Sequence, residues 1–250
     1  MQNIHTDFQC SWGEVVTTAL RLLAALAITL ALTACGVQQL PYDRSTAGIQ
    51  TIGVVTPGQP QEAGAYLVRS VGQAFGLVGA LIDAGMTDKR NTQLRALLRQ
   101  RDFSTLASFQ ENLVKTLESG GYTLTTIPST NERRDFLNAP PSSATAVDAY
   151  LDTVMLLHGY CAAGIGSSSP WRPCLAVRTR LIRARDQAVL MQNEVLYNPA
   201  FSRDSAVTIS PDPAYQFPDF NDLVANPDQA TRGLSTATEQ TAKAIATLLR

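Results

Sequence analysis

Alternation of apolar and polar residues, with turn residues between the runs, divides the chain into elements. "GIQTIGVVT", Gly48 to Thr56, is rich in β-branched residues and stops at Pro57-Gly58, which predicts a first strand. A long helical region is predicted from about Ala65 to Ser119. In its last part Leu106, Phe109, Leu113 and Leu117 recur at three- and four-residue spacing and so share one face. Gly120-Gly121 ends that helix, because glycine accepts the left-handed conformation of a helix terminus. "YTLTTI", Tyr122 to Ile127, alternates as a second strand. A polar stretch through Pro141 follows, and "DAYLDTVMLLHGY", Asp148 to Tyr160, reads as a helical lead-in to a buried third strand. "CLAVRTRLIRA" and "VLMQNEVLY" carry the strongest β signal and are separated by Arg185-Asp186-Gln187-Ala188, a length suited to a hairpin. Within the first of them Leu175, Val177, Thr179 and Leu181 alternate with Ala176, Arg178, Arg180 and Ile182, which predicts a partly solvated face. After Pro227, Leu234, Thr238, Thr241, Ile245 and Leu248 fall at helical spacing, so a helix closes the chain.

This order implies an α/β (α+β) domain over residues 48–250, a mixed β-sheet with helices packed on it. Its first two strands pair in parallel through a helical crossover. The succession "NLVKTLESGGYTLTTI" and then "PCLAVRTRLIRARDQAVLMQNEVLYN" resembles the periplasmic α/β domains of the TolB N-terminal and curli-secretion (CsgG-like) lipoprotein type, over roughly Gly48 to Asn198. The likeness is one of element order. No extended alternating segments match the barrel-forming hairpins of the secretion pore, which speaks against pore formation.

Ahead of the domain the pattern changes. Leu22 to Ala34 is an uncharged, largely apolar run of 13 residues preceded by Arg21. A membrane-spanning helix needs ~20 such residues. A short apolar core that ends in small residues fits a cleaved signal segment instead. Leu32-Thr33-Ala34-Cys35-Gly36 resembles the lipobox of bacterial lipoproteins, in which the cysteine sulfur receives a diacylglycerol before cleavage ahead of it. The resemblance implies a signal peptide at 1–34, a lipid on Cys35 and a polar tether at 35–47. Met1 to Glu14 carries Asp7 and Glu14 but no Lys or Arg, unlike the positive start of a signal, and a start at Val15 or Val16 removes the discrepancy. Gly36, rather than aspartate, follows the cysteine, and the family's retention pattern then implies the outer membrane.

Composition narrows the function. The chain has 20 Lys or Arg and 21 Asp or Glu, and residues 1–34 hold only Arg21, Asp7 and Glu14, so residues 35–250 carry no formal net charge. Without clustered cations to displace counterions from phosphate, no nucleic acid partner is indicated. Cys161 and Cys174 flank "AAGIGSSSPWRP", a loop between two strand-like runs, and in an oxidising compartment they are expected to form a disulfide. One histidine after residue 34 and no CxxC spacing indicate no metal site and no cofactor.

Four other features stand out. In "RSVGQAFGLVGALIDAGM", Gly72, Gly76, Ala80 and Ala84 fall at every fourth position, a stripe that admits close packing inside the domain, a contact between protomers, or an amphipathic element on a membrane. Trp171, with Arg172, offers either a binding tip or a cover over a sheet edge, and "PDPAYQFPDF", Pro211 to Phe220, either straps the core or docks a partner. His158 in "MLLHGY" is best read as a half-buried structural histidine. The rival class is a periplasmic hydrolase built on His158 with Cys161 or a serine, and Asp152 as orienter. The chain is thus expected to be a non-catalytic envelope lipoprotein, held to the membrane by its lipid and acting on protein partners or on itself. A subunit of a secretion or envelope-spanning complex is a further alternative.

Overall fold

A computed structural model describes residues 39–59, 62–68, 84–130, 132–139, 146–163, 170–198 and 206–250. The elements are α1 (Arg44–Ala47), β1 (Thr51–Val55), β2 (Gly64–Val68), α2 (Ala84–Gln100), α3 (Thr105–Ser119), β3 (Thr123–Ile127), β4 (Ala149–Ala163), β5 (Trp171–Arg183), β6 (Val189–Tyr197) and β7 (Val207–Ile209). A short 3-10 turn at Pro213–Tyr215 then leads to α4 (Phe220–Ala225) and α5 (Pro227–Thr247).

The seven strands form one mixed sheet, in the order β3-β1-β4-β5-β6-β7, with β2 also on β4. β1 pairs in parallel with β3, Ile52 opposite Leu124, as the crossover argument requires of the two strands predicted on either side of the helices. β4, β5 and β6 make the antiparallel meander, with Asp152 opposite Arg180 and Arg180 opposite Gln192. Along one edge of β4 lie first β1, with Ile52 opposite Ala149, then a single bridge from Gly58 to Val154, then β2, with Gly64 opposite Gly159. The chain from β1 to β2 thus follows β4 for most of its length. Gly159 has φ +137°, and a Cβ there would lie 1.9 Å from the Gly64 carbonyl oxygen. Only glycine permits this approach of two backbones.

Among the described residues the helices lie on one face. In α3, Phe109, Leu113 and Leu117 are fully buried, and they join Leu151, Met155, Val177 and Leu181 of the sheet and Ala237 and Ile245 of α5 in the largest core cluster. Each such side chain contributes about 1.5–3 kcal/mol by leaving water. Ser104 starts α3, its hydroxyl accepting the Ala107 N–H at 3.2 Å. At the other end Gly121, at φ +86°, supplies the left-handed residue. α3 and α5 meet through the Ser108 and Thr238 hydroxyls, 2.8 Å apart.

Three expectations are corrected. Residues 64–68, expected to open the helical region, are strand β2. The described part of that region after residue 83 is two helices, divided by a turn in which the Phe103 N–H donates to the Leu98 carbonyl at 3.0 Å. The expected helical lead-in of Asp148 to Tyr160 is strand throughout from Ala149, buried on both faces. Ahead of β1 the chain from residue 39 makes contacts with the domain. Leu40 forms an antiparallel bridge to Gln192, and Asp43 caps α1, its carboxylate accepting the Ser45 N–H at 3.0 Å.

Candidate functional site

The helix-free face of the sheet carries the densest set of charged side chains. Cross-strand partners share a face, so the register places Asp152 of β4 beside Arg180 of β5, and Val154 beside Arg178 and then Glu194 of β6. Asp152 is almost wholly buried, at 1% exposure. A lone carboxylate there would carry a large desolvation cost. Two guanidiniums offset it: Arg133 Nη2 lies 2.7 Å from Asp152 Oδ1, an ion pair, and Arg180 Nη2 lies 3.3 Å from Oδ2. The Leu137 N–H also donates to Oδ2 at 2.8 Å.

These contacts hold the segment 132–139 across the sheet. Arg133 donates to the carbonyls of Thr56 and Thr153, each at 3.0 Å, and of Asp135 at 3.0 Å. Arg180 donates to the Leu137 carbonyl. Arg178 pairs with Asp135 at 3.1 Å and reaches the Arg134 carbonyl at 3.3 Å. The Phe136 ring lies under both β5 arginines, 4.5 Å from the Arg180 guanidinium carbon and 5.4 Å from that of Arg178. Both Asp152 oxygens thus hold the loop to the sheet.

At the far end of β4 the two cysteines are bridged, Cys161 to Cys174, with Cα atoms 5.7 Å apart. The register sets Gly159 opposite Cys174 and Cys161 opposite Arg172, so the bridge is diagonal across the hairpin. Both cysteines are 1% exposed and pack with Leu157, Ala176 and Leu196.

Trp171 is buried, at 4% exposure. Its indole meets Phe220 edge to face at 5.1 Å, and the Arg90 guanidinium lies 5.5 Å from its ring centroid. Its backbone exchanges hydrogen bonds with Phe217 at 2.8 and 2.9 Å, and Phe217 meets Tyr160 edge to face at 5.7 Å. The aromatic, proline-rich segment therefore straps the sheet end. Tyr160 donates to the Ala230 carbonyl at 2.9 Å, and burial pushes its phenol well above the usual range.

His158 is 3% exposed, and its Nε2 lies 2.9 Å from Gln59 Nε2. Of the groups that the hydrolase alternative assigned to it, Cys161 is in the disulfide and Asp152 pairs with arginines. Among the described residues no group of three or more His, Cys, Asp or Glu is placed to hold a metal ion, and no helix is long and apolar enough to cross a membrane. Cys35, Gly72, Gly76 and Ala80 lie outside the described residues, and so does the side chain of Ala84, at the start of α2.

No family model matches the chain, and no curated protein matches it in sequence. Among solved structures, the PelC dodecamer from Paraburkholderia phytofirmans is similar at a TM-score of 0.39 and 13% identity, covering 86% of this chain and 96% of that one. Protein XCC0632 from Xanthomonas campestris, described under the family model DUF330, is similar at a TM-score of 0.36 and 12% identity, covering 85% of this chain and 87% of that one. The hypothetical protein CT253 from Chlamydia trachomatis is similar at 0.33 and 12%, over 80% and 98%.

Proposed function

We propose that the chain is a lipid-anchored envelope domain, attached through Cys35 and facing the periplasm, that works by binding protein, either a partner or further copies of itself. The observation that carries this reading is the buried Cys161–Cys174 bridge, because disulfides of this kind persist in oxidising compartments. The lipobox-like Leu32-Thr33-Ala34-Cys35-Gly36 supplies the anchor, and Gly36 supports an outer-membrane destination. Among the described residues the most buried acidic group, Asp152, serves loop attachment, which fits an interaction module better than a hydrolase.

Metabolic labelling with a palmitate analogue tests the anchor. The wild type should incorporate label, and Cys35→Ser should remain an unlabelled precursor, since serine offers no sulfur for lipid transfer. Equal labelling of the two overturns the assignment. Crosslinking in intact envelopes followed by mass spectrometry tests the second half, with a reproducible partner or a homo-oligomer as the expected product. Recovery of the uncrosslinked monomer alone, at reagent levels that capture a known envelope complex, counts against an interaction module.

A further inference from the structure

We infer that the sheet corner carrying Leu40 and Val189 lies against the lipid surface; this rests on the lipidation of Cys35 proposed above. Leu40 is fixed to the domain. Its N–H donates to the Gln192 carbonyl at 2.9 Å and its carbonyl accepts the Gln192 N–H at 3.0 Å. Only five peptide links join it to Cys35, so an acylated Cys35 can be no more than about 18 Å from Leu40, at ~3.6 Å per residue.

The sheet is much longer than that reach. The 15 residues of β4 extend about 50 Å at ~3.3 Å each. β4 begins at the tether end, where Ala149 faces Arg183 and Ile182 faces Val189. It finishes beside Trp171. The anchor therefore dictates which end is near the membrane, and the disulfide and the aromatic strap occupy the far one.

The chemistry of the near corner agrees. Among the described residues the large apolar side chains left exposed are Leu40, at 38%, and Val189, at 39%. Both belong to this corner. Residues opposed in an antiparallel ladder share a face, so Leu40 follows Gln192, which lies opposite Arg180, and Val189 follows Ile182. Both point to the helix-free side, ~10 Å apart along the strand at ~3.3 Å per residue. Of the neighbouring charges, Arg183 and Arg185 share one carboxylate, lying 3.0 and 3.7 Å from Asp186, so these three residues keep a single positive charge, which no lipid headgroup repels. Two aliphatic side chains do not hold a domain on a bilayer by themselves, but a short tether raises their effective concentration at the lipid. The acyl chains attach the protein, and the apolar corner orients it.

The test uses the full lipidated chain in phosphatidylcholine vesicles with nitroxide-labelled acyl chains. A bimane probe is placed at Val189→Cys, at Arg185→Cys, or at Gln100→Cys near the opposite end, after mass spectrometry has established the lipid on Cys35. Quenching at positions 189 and 185 should exceed that at 100 at least threefold, and Leu40→Asp with Val189→Asp should reduce it at 185. Equal quenching at 185, 189 and 100 in a lipidated chain overturns the orientation and leaves the anchor standing. Unchanged quenching at 185 in the double aspartate variant overturns the apolar contact. A chain without lipid on Cys35 overturns the anchor, and this inference with it.

Discussion

Asp152→Asn isolates the clamp on the helix-free face. Asparagine keeps the size of the side chain and an acceptor for the Leu137 N–H, but it removes the charge that faces two guanidiniums at 2.7 and 3.3 Å. Removing one partner of a buried ion pair costs ~3–5 kcal/mol, because the other charge stays buried without compensation. Screening is modest here, since the Arg133 and Arg180 side chains are only 9% and 17% exposed. Arg133 retains the Thr56 and Thr153 carbonyls, and Arg180 retains that of Leu137, which places the expected loss near the lower bound, about 3 kcal/mol. For a domain of this size that lowers Tm by roughly 6–12 °C. Urea and thermal melts measure the loss. Limited trypsinolysis reports the loop directly, because Arg134 sits in the clamped segment and cleavage after it should accelerate in the variant. Pairing Asp152→Asn with Arg180→Met should be clearly non-additive, since the second change removes one of the unpaired charges. A loss under ~1 kcal/mol with unchanged cleavage at Arg134 would show that the loop is held by other contacts.

Peptide mapping of unreduced protein from the envelope should find Cys161 linked to Cys174, and replacing both by serine should cost about 3 kcal/mol for a loop of this length on the chain-entropy estimate; two alkylatable thiols in native protein would refute the bridge. Asp148 accepts the Gln50 and Thr51 N–H groups at 3.0 and 2.8 Å, and these bonds hold its carboxyl below the ordinary value of 3.8. Its stabilising contribution is therefore complete above that value and lost as pH falls through the lower folded one, so the stability gap between wild type and Asp148→Asn should close on acidification below pH 3.8. A gap that widens instead would reverse the sign and refute the assignment. Gly159→Ala should detach β2 from β4, because the new Cβ meets the Gly64 backbone at 1.9 Å; amide exchange of residues 64–68 should rise by more than tenfold, and unchanged protection would contradict the register.

Elements with one buried face were legible in the sequence. The stripe Phe109, Leu113 and Leu117 defined α3, and the spacing from Leu234 to Ile245 defined α5, because water on one side forces a period of 3.6. The β5–β6 hairpin was legible from its turn length and from Arg178 and Arg180 alternating with apolar neighbours. β4 was misread at its start because both of its faces are covered, and a strand buried on both sides has no alternation to distinguish it from a buried helix. β2 was missed because its five residues run directly into the small-residue stripe, so nothing local marked its end. The disulfide was visible as two cysteines flanking a turn-rich loop. The clamp was not: Arg133 and Asp152 meet only because β3 and β4 enclose β1, a fact of topology. The available signal was Asp152 itself, a charge inside the apolar run "AYLDTVMLL", which calls for a cationic partner from elsewhere in the fold.

The placement of β1 and β2 along one edge of β4 also sets an order of events during synthesis. Ile52 must find Ala149, and Gly64 must find Gly159, partners that emerge about 95 residues later. At ~5–20 residues per second the early strands wait on the order of 5–20 s for the strand that completes them. Until then Ile52, Val54 and Val55, all destined for full burial, are open to mispairing. Shortening the wait is not available to local sequence changes, since long-range pairing dominates the barrier. The domain therefore depends, before it is finished, on whatever keeps its first quarter apart from other chains.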